Sequence, residues 1–267
     1  DFIDLKTMKI VVSINWNSIV DLPPQLSSSN CIEDVAGKEY EGVNYTRQEL
    51  LNNFFCEIAK CFFSDEGYYK VGGNRPMVYI KNIYAKDSKA MYDSIRRAVK
   101  EATGYDIYIV AESADVWCNQ MRYQYFYMSG GVDAVASRNM YDQSEVTRSY
   151  MYPQMIDQNW KYNRETALPA FGDGSMELIP TVGPGWNKLI QDGRGAIGNS
   201  PIVKRDPATY RTICNVAKMN AGRNRLIFID SYNKYNFDSF IEPTVEGYGN
   251  GYGKTYLQIT REQFKKN

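Results

Sequence analysis

The sequence predicts an α/β fold in one domain, a parallel sheet covered by helices. Short apolar runs of strand length alternate with segments whose apolar residues recur at helical spacing. The 267 residues suffice for one sizeable core and carry neither an internal repeat nor a low-complexity linker. Alternation of this kind packs best as helices laid over a parallel sheet.

Taken in order, residues 8–16 form a β-branched run and the first strand, and the Pro- and Ser-rich residues 22–30 form a loop. Thr46 and Glu49 have the spacing of a capping box, in which each side chain satisfies the other's free N–H. The helix it opens carries Leu51, Phe54, Phe55, Ile58 and Phe62 on one face. Residues 76–83 are the next strand. Asp87 or Ser88 can cap a helix that buries Met91, Ile95, Ala98, Val99 and Ala102 and stops at Gly104. Strands follow over 105–111, ending at Glu112, and over 132–136, then a helix over 153–166 and a strand over 177–182. Asp206-Pro207 opens a helix, cap first and proline in the first turn, with Tyr210, Ile213, Val216 and Ala217 inward. A sixth strand spans 226–230 and a closing helix 254–266.

Composition excludes several chemistries. Lys plus Arg and Asp plus Glu both number 31, so the net charge is zero, which argues against a nucleic-acid binder. Histidine is absent, so a Ser-His-Asp triad, a Cys-His pair and a histidine metal site are impossible, and acid–base work falls to carboxylates, Tyr, Lys or Cys. Cys31, Cys56, Cys61, Cys118 and Cys214 are odd in number and widely spaced, reading as buried or free thiols rather than as disulfides or a zinc site. No apolar run approaches the roughly 18 residues of a membrane span. The chain begins at Asp1 with neither Met nor a signal-peptide pattern, as a processed product would, and a secreted or periplasmic location is the preferred expectation. With 22 Tyr, aromatics suit both sugar stacking and ordinary packing, and composition leaves the two open.

Sites of parallel α/β folds lie at the carboxyl ends of the strands. Here those ends carry Asn15, Trp16, Asn82, Tyr84, Glu112, Ser113, Asp115, Trp186, Asn187, Tyr232, Asn233 and Asp238. The Gly- and Tyr-rich run over 247–255 lacks the glycine spacing of a phosphate loop and lies too near the carboxyl end for a dinucleotide fingerprint; it reads as a mobile loop on a site rim. The aromatic run over 122–127 reads as an ordinary loop rather than a stacking surface, and Glu112 as either a salt-bridge partner or a site acid. Gly183-Pro184-Gly185 places Trp186 at the sheet edge, where exposure is costly without a ligand or a covering loop.

Several segments resemble glycoside hydrolase family 99 and the related WbsX-type glycosyltransferase domains. Residues 69–79 resemble the family's "Y-x-K-V-x-G-K-P" entry into a barrel strand, and 180–187 its "P-T-V-x-P-G-W-D" strand end. Residues 229–244 resemble "I-N-A-W-N-E-W-x-E-G-x-x-L-E-P", and 252–257 the closing "Y-G-x-x-Y-L". The resemblance implies a (β/α)8 TIM-barrel type domain over residues 1–267, acting on an oligosaccharide or polysaccharide with no cofactor. Six strands are counted, and the family's first two βα units have no counterpart, so a removed amino end, an open barrel or completion by a partner chain is expected.

The family's catalytic Glu pair falls on Lys234 and Phe237, and the Asp of "P-G-W-D" on Asn187. A cation and a phenyl ring can neither protonate a glycosidic oxygen nor act as base. What carries over is Trp186, Asn233 and Glu242 as site-shaping positions. The leading expectation is a glycoside hydrolase with rebuilt carboxylates, Glu112, Glu242 and Asp238, around a binding set of Asn15, Trp16, Tyr84, Trp186, Asn187, Tyr232, Asn233 and Lys234. The alternatives are a non-catalytic glycan-binding protein and a WbsX-type transferase, whose nucleotide-sugar site is not visible in the sequence.

Overall fold

The first β-branched run forms strand β1 (Val12–Asn15), and a short hairpin, β2 (Lys38–Tyr40) and β3 (Val43–Tyr45), precedes helix α1 (Arg47–Phe62). Next come β4 (Lys70–Val71), β5 (Arg75–Lys81), α2 (Ser88–Thr103), β6 (Tyr108–Ser113) and β7 (Ala134–Ser137). Helices α3 (Tyr152–Tyr162) and α4 (Leu168–Phe171) are joined by a π-turn, Asn163–Ala167. Strands β8 (Glu177–Ile179) and β9 (Thr181–Val182), helix α5 (Pro207–Asn220) and strand β10 (Phe228–Ile229) lead to the hairpin β11 (Asn233–Lys234) and β12 (Ser239–Phe240), and then to α6 (Thr255–Phe264). This computed structural model describes residues 8–15, 32, 37–81, 88–113, 131–137, 151–171, 174–187, 203–245 and 251–265. The chain divides into two compact units, residues 1–114, 119–136 and 166–177 in the first and 115–118, 137–165 and 178–267 in the second.

The main sheet is six-stranded, in the order β1-β5-β6-β7-β8 with β4 paired to β5, and the first unit holds β1, β4, β5 and β6. β5 is parallel to β1, Val78 opposite Val12, and to β6, Met77 opposite Tyr108. Val78, Ile80, Tyr108, Ile109 and Val110 are fully buried, the two-sided burial typical of parallel strands. Among the described residues the sheet is an open path rather than a closed ring.

Both predicted helices of this unit form. Thr46 and Glu49 complete the capping box, with Glu49 N–H 3.2 Å from Thr46 Oγ1 and Thr46 N–H 2.7 Å from Glu49 Oε2. Leu51, Phe55, Ile58 and Ala59 face inward, but Phe62, the last residue of the helix, is exposed. Phe63 is buried beside Tyr68 and Tyr105, with ring centroids 5.1 and 5.9 Å away. In α2 Tyr92 also lies inside and Ala102, in the last turn, is exposed, and Gly104 ends the helix at φ +78°. The β2–β3 hairpin was not expected. Its turn is Glu41-Gly42, both at positive φ (50° and 80°), the two-residue geometry that matches strand twist but seldom places Glu first.

At the amino ends of these strands Asp133 is clamped. Its carboxylate lies 2.7 Å from Arg75 Nη2 and 2.6 Å from Arg96 Nη2, and accepts the Ile109 N–H at 2.8 Å. The same guanidiniums donate to the Ile107 carbonyl at 2.8 and 2.5 Å. Conserving such a clamp at the amino ends is a matter of stability rather than chemistry in barrel folds.

In the second unit β9 and β10 pair in parallel, Thr181 opposite Phe228. The strand expected over 177–182 is broken at Pro180, which has no N–H to donate; its carbonyl accepts from Phe228 N–H at 2.9 Å. Helix α5 buries Tyr210, Ile213, Cys214, Val216 and Ala217, and Tyr210 bonds Thr260 of α6 at 3.0 Å. Cys56, Cys61 and Cys214 are free thiols, and burial pushes that of Cys214 up to about 12. Cys31 and Cys118 lie outside the described residues.

Asp206 caps α5 by accepting the Thr209 N–H at 2.6 Å, which holds its carboxyl below the ordinary value, and Pro207 occupies the first turn. Asp206→Ala should cost about 1 kcal/mol in urea unfolding at neutral pH. A carboxyl lowered in the folded state contributes stability above its unfolded value of 3.8 and loses it as the pH falls through the folded one, so the deficit should close in acid.

Candidate functional site

Because β9 and β10 are parallel neighbours, they release their carboxyl-terminal segments, 183–187 and 230–234, side by side. The first is pinned by a two-way bridge between Trp186 and Val203, at 2.8 and 3.1 Å. Gly185 is required for this approach, since a Cβ there would meet Arg205 Cγ at 2.5 Å and the Val203 carbonyl at 3.2 Å. The second segment runs into the β11–β12 hairpin, which pairs Asn233 with Phe240 and Lys234 with Ser239 around a 3-10 turn, Tyr235–Phe237.

That turn covers Trp186. The Phe237 ring stacks on the indole with centroids 4.3 Å apart and planes 9° from parallel, and the Phe237 carbonyl accepts the Asn187 N–H at 2.7 Å. Lys234 Nζ is 4.7 Å from the indole centroid and 5.1 Å from the phenyl centroid. These distances place the ammonium at the shared rim of the stacked rings, not over the outer face of the indole. Trp186 is consequently only 4% exposed, so the covering loop expected from the sequence is the chain's own hairpin.

Three carboxylates surround the hairpin, each with its own donor. Asp230, at the end of β10, accepts Ser239 Oγ at 2.7 Å and lies 3.6 Å from Lys234 Nζ. Asp238, in the left-handed region at φ +56°, pairs with Arg205 Nη1 at 3.2 Å. Burial pushes its carboxyl above the ordinary value, against the opposing pull of that guanidinium. Arg205 is itself buried, among the rings of Phe240 (3.9 Å), Tyr256 (4.2 Å) and Tyr252 (4.5 Å). Glu242 accepts the Tyr235 hydroxyl, and this bond raises the Tyr235 phenol.

The second unit thus gathers Trp186, Asn187, Tyr232, Asn233, Lys234, Asp238 and Glu242 from the sequence-derived set. Tyr232 and Asn233 are exposed on the hairpin, Tyr232 by 51%. Asn15, exposed at the end of β1, and Glu112, half-buried near the end of β6, belong to the first unit. The backbone of Ser113 ends β6. Trp16, Asn82, Tyr84, Asp115 and the run over 122–127 lie outside the described residues, as do residues 246–250 of the glycine-rich run. Sequence reasoning missed Asp230 and Arg205. Asp230 was legible as the last residue of the sixth strand, whereas nothing local distinguishes Arg205. Among the described residues no group of three or more Cys, Asp or Glu could hold a metal ion, and no helix is long and apolar enough to cross a membrane.

The sequence profile described as Glycosyltransferase WbsX matches residues 42–260, most of the chain. The chain belongs to the WbsX family. No curated protein matches this WbsX-family chain by sequence. Among solved structures, a "Glycoside hydrolase-like protein" superposes with a TM-score of 0.69 at 24% identity, covering 89% of this chain and 68% of that one. The GH99 endo-alpha-mannosidase from Bacteriodes thetaiotaomicron, in complex with BIS-TRIS-Propane, gives a TM-score of 0.55 at 16% identity, covering 97% and 71%. These likenesses establish the fold, the α/β TIM-barrel type that the sequence predicts. Lys234 and Phe237, which the sequence resemblance sets against the "N-E-W-x-E" acids, are the ammonium and phenyl ring packed on Trp186.

Proposed function

We propose that the chain acts on glycans, and that it binds them at the carboxyl ends of β9 and β10 without hydrolysing them at the family's two acid positions. The packing of Lys234 and Phe237 on Trp186 carries this reading. Two-carboxylate hydrolysis needs an acid for the leaving oxygen and a second carboxylate about 5–5.5 Å away, or about 6.5–9.5 Å away for inversion. An ammonium and a phenyl ring supply neither. The WbsX domain and the glycoside hydrolase-like fold support a carbohydrate ligand, as does the mannosidase activity named for one structural relative. Exposed Tyr232 and Tyr235 offer two rings on which sugar faces can stack.

Hydrolysis by rebuilt carboxylates is the second reading, and Asp238 favours it. A carboxyl raised by burial holds its proton at higher pH, as a general acid must. Glu242, on the same hairpin, would then serve as its partner. Transfer rather than hydrolysis, in keeping with the family's description, would require a nucleotide-sugar site besides.

A panel of mannose-rich and bacterial-surface glycans separates these readings, with cleavage followed by mass spectrometry and binding by calorimetry. Wild type is run beside Glu112→Gln, Asp238→Asn and Glu242→Gln. The expected result is binding without cleavage. Cleavage that disappears in a carboxylate variant would establish the hydrolase instead, and the absence of both binding and cleavage would overturn both readings.

A further inference from the structure

We propose that Lys234 makes this site selective for acidic glycans, receiving the carboxylate of a uronic acid residue; the inference rests on the reading that glycans dock at the carboxyl ends of β9 and β10. The hairpin's carboxylates already have hydrogen-bond donors: Ser239 for Asp230 at 2.7 Å, Arg205 for Asp238 at 3.2 Å, and the Tyr235 hydroxyl for Glu242. The Lys234 ammonium has three N–H donors to place. Among the described residues its anionic neighbour is Asp230 at 3.6 Å, beyond hydrogen-bond length, and that oxygen already accepts from Ser239. The indole and phenyl rings beside it take up none of its donors in hydrogen bonds to oxygen.

The side chain is one-third exposed, so an arriving ligand can reach the ammonium, and exposed Tyr232 and Tyr235 flank it in sequence. A carboxylate arriving there would form charge-assisted hydrogen bonds of about 2.7–2.9 Å, roughly twice as strong as those to a sugar hydroxyl. The sign of the charge matters as much as its presence. Two glutamates at these positions would repel a uronate, whereas Lys234 and Phe237 remove both negative charges and add a positive one. The 3.6 Å separation of the Asp230 pair leaves no hydrogen bond for an arriving carboxylate to displace.

Calorimetry with three probes tests the assignment: an oligogalacturonate, the same oligosaccharide with its carboxyls methyl-esterified, and a sulfated neutral oligosaccharide. The protein is wild type, Lys234→Met and Lys234→Arg, each checked for folding by circular dichroism. Wild type should bind the oligogalacturonate about tenfold or more tighter than its ester. Lys234→Met should abolish that preference, Lys234→Arg should keep it, and raising the salt should weaken it. Equal affinity for acid and ester, or a preference that survives in Lys234→Met, would overturn the inference. So would binding of the sulfated probe without the uronate, or binding of neutral mannose-rich glycans alone, and these last outcomes leave the glycan reading standing. Binding of no glycan at all would overturn both.

Discussion

Asp133→Ala should lower the Tm of the protein by about 6–12 °C. The substitution leaves two guanidiniums, Arg75 and Arg96, without their shared carboxylate, and the Ile109 N–H without its acceptor. Asp133 and Arg96 are 12% and 19% exposed and Arg75 is 27% exposed, so water can only partly replace the lost partner. Removing one member of such a pair costs about 3 kcal/mol, and each kcal/mol shifts the Tm of a domain this large by about 2–4 °C. Thermal unfolding followed by circular dichroism reads the effect. Because the cost arises from stranded charge, Arg96→Met introduced beside Asp133→Ala should recover part of it, an interaction energy absent from either single variant. A Tm within about 2 °C of wild type would mean that the clamp contributes no more than an ordinary surface pair.

Arg205→Met is the second large effect, again about 3 kcal/mol, and it has a pH signature. The side chain is almost wholly inaccessible, packs on three rings and answers the carboxylate of Asp238. Methionine fills much of the volume but leaves Asp238 ionised in a buried place without its cation. Burial already raises this carboxyl above 3.8, and the guanidinium opposes the rise, so its removal raises the group further. A carboxyl raised in the folded state contributes stability that is present below its unfolded value and lost as the pH climbs through the folded one. The loss is larger in the variant. The deficit of Arg205→Met should therefore be greatest at neutral pH and shrink in acid, the same direction as the smaller Asp206→Ala deficit. Denaturant unfolding at pH 7 and in the acid range makes the comparison. A deficit that stayed constant across pH would assign the cost to lost packing rather than to Asp238.

Much of the fold was legible because helix signals are local. The Thr46 and Asp206 caps, the Gly104 stop and the inward faces of α1 and α5 all act within a turn of the residues that encode them. The misplacements, Phe62 and Ala102, both fall in the last turn of a helix, where the departing chain and not the helical spacing decides which side chain is covered. The break at Pro180 could have been read from the missing N–H. The Glu41-Gly42 turn could not, because Glu rarely adopts positive φ.

At the site, the strand ends pointed to Trp186, Asn187, Tyr232 and Asn233, since strand ends are also a local property, and Lys234 came from the resemblance of residues 229–244. What covers Trp186 was hidden, because a stack between residues 186 and 237 depends on how the hairpin folds back. Arg205 was hidden for the same reason: its value lies in Phe240, Tyr252, Tyr256 and Asp238, all more than thirty positions away.

Lys234 and Phe237 also constrain how this surface can change by single mutations. Glutamate at 234 alone would stand beside Asp230, like charge against like, with Phe237 still closing the indole. Glutamate at 237 alone would uncover Trp186 and set an acid among aromatic rings, next to a lysine it would neutralise. Either intermediate loses what the pair now supplies before it recovers what two acids could do. The two positions are bound to one another through the indole they share, so a double-acid site here requires both to change together.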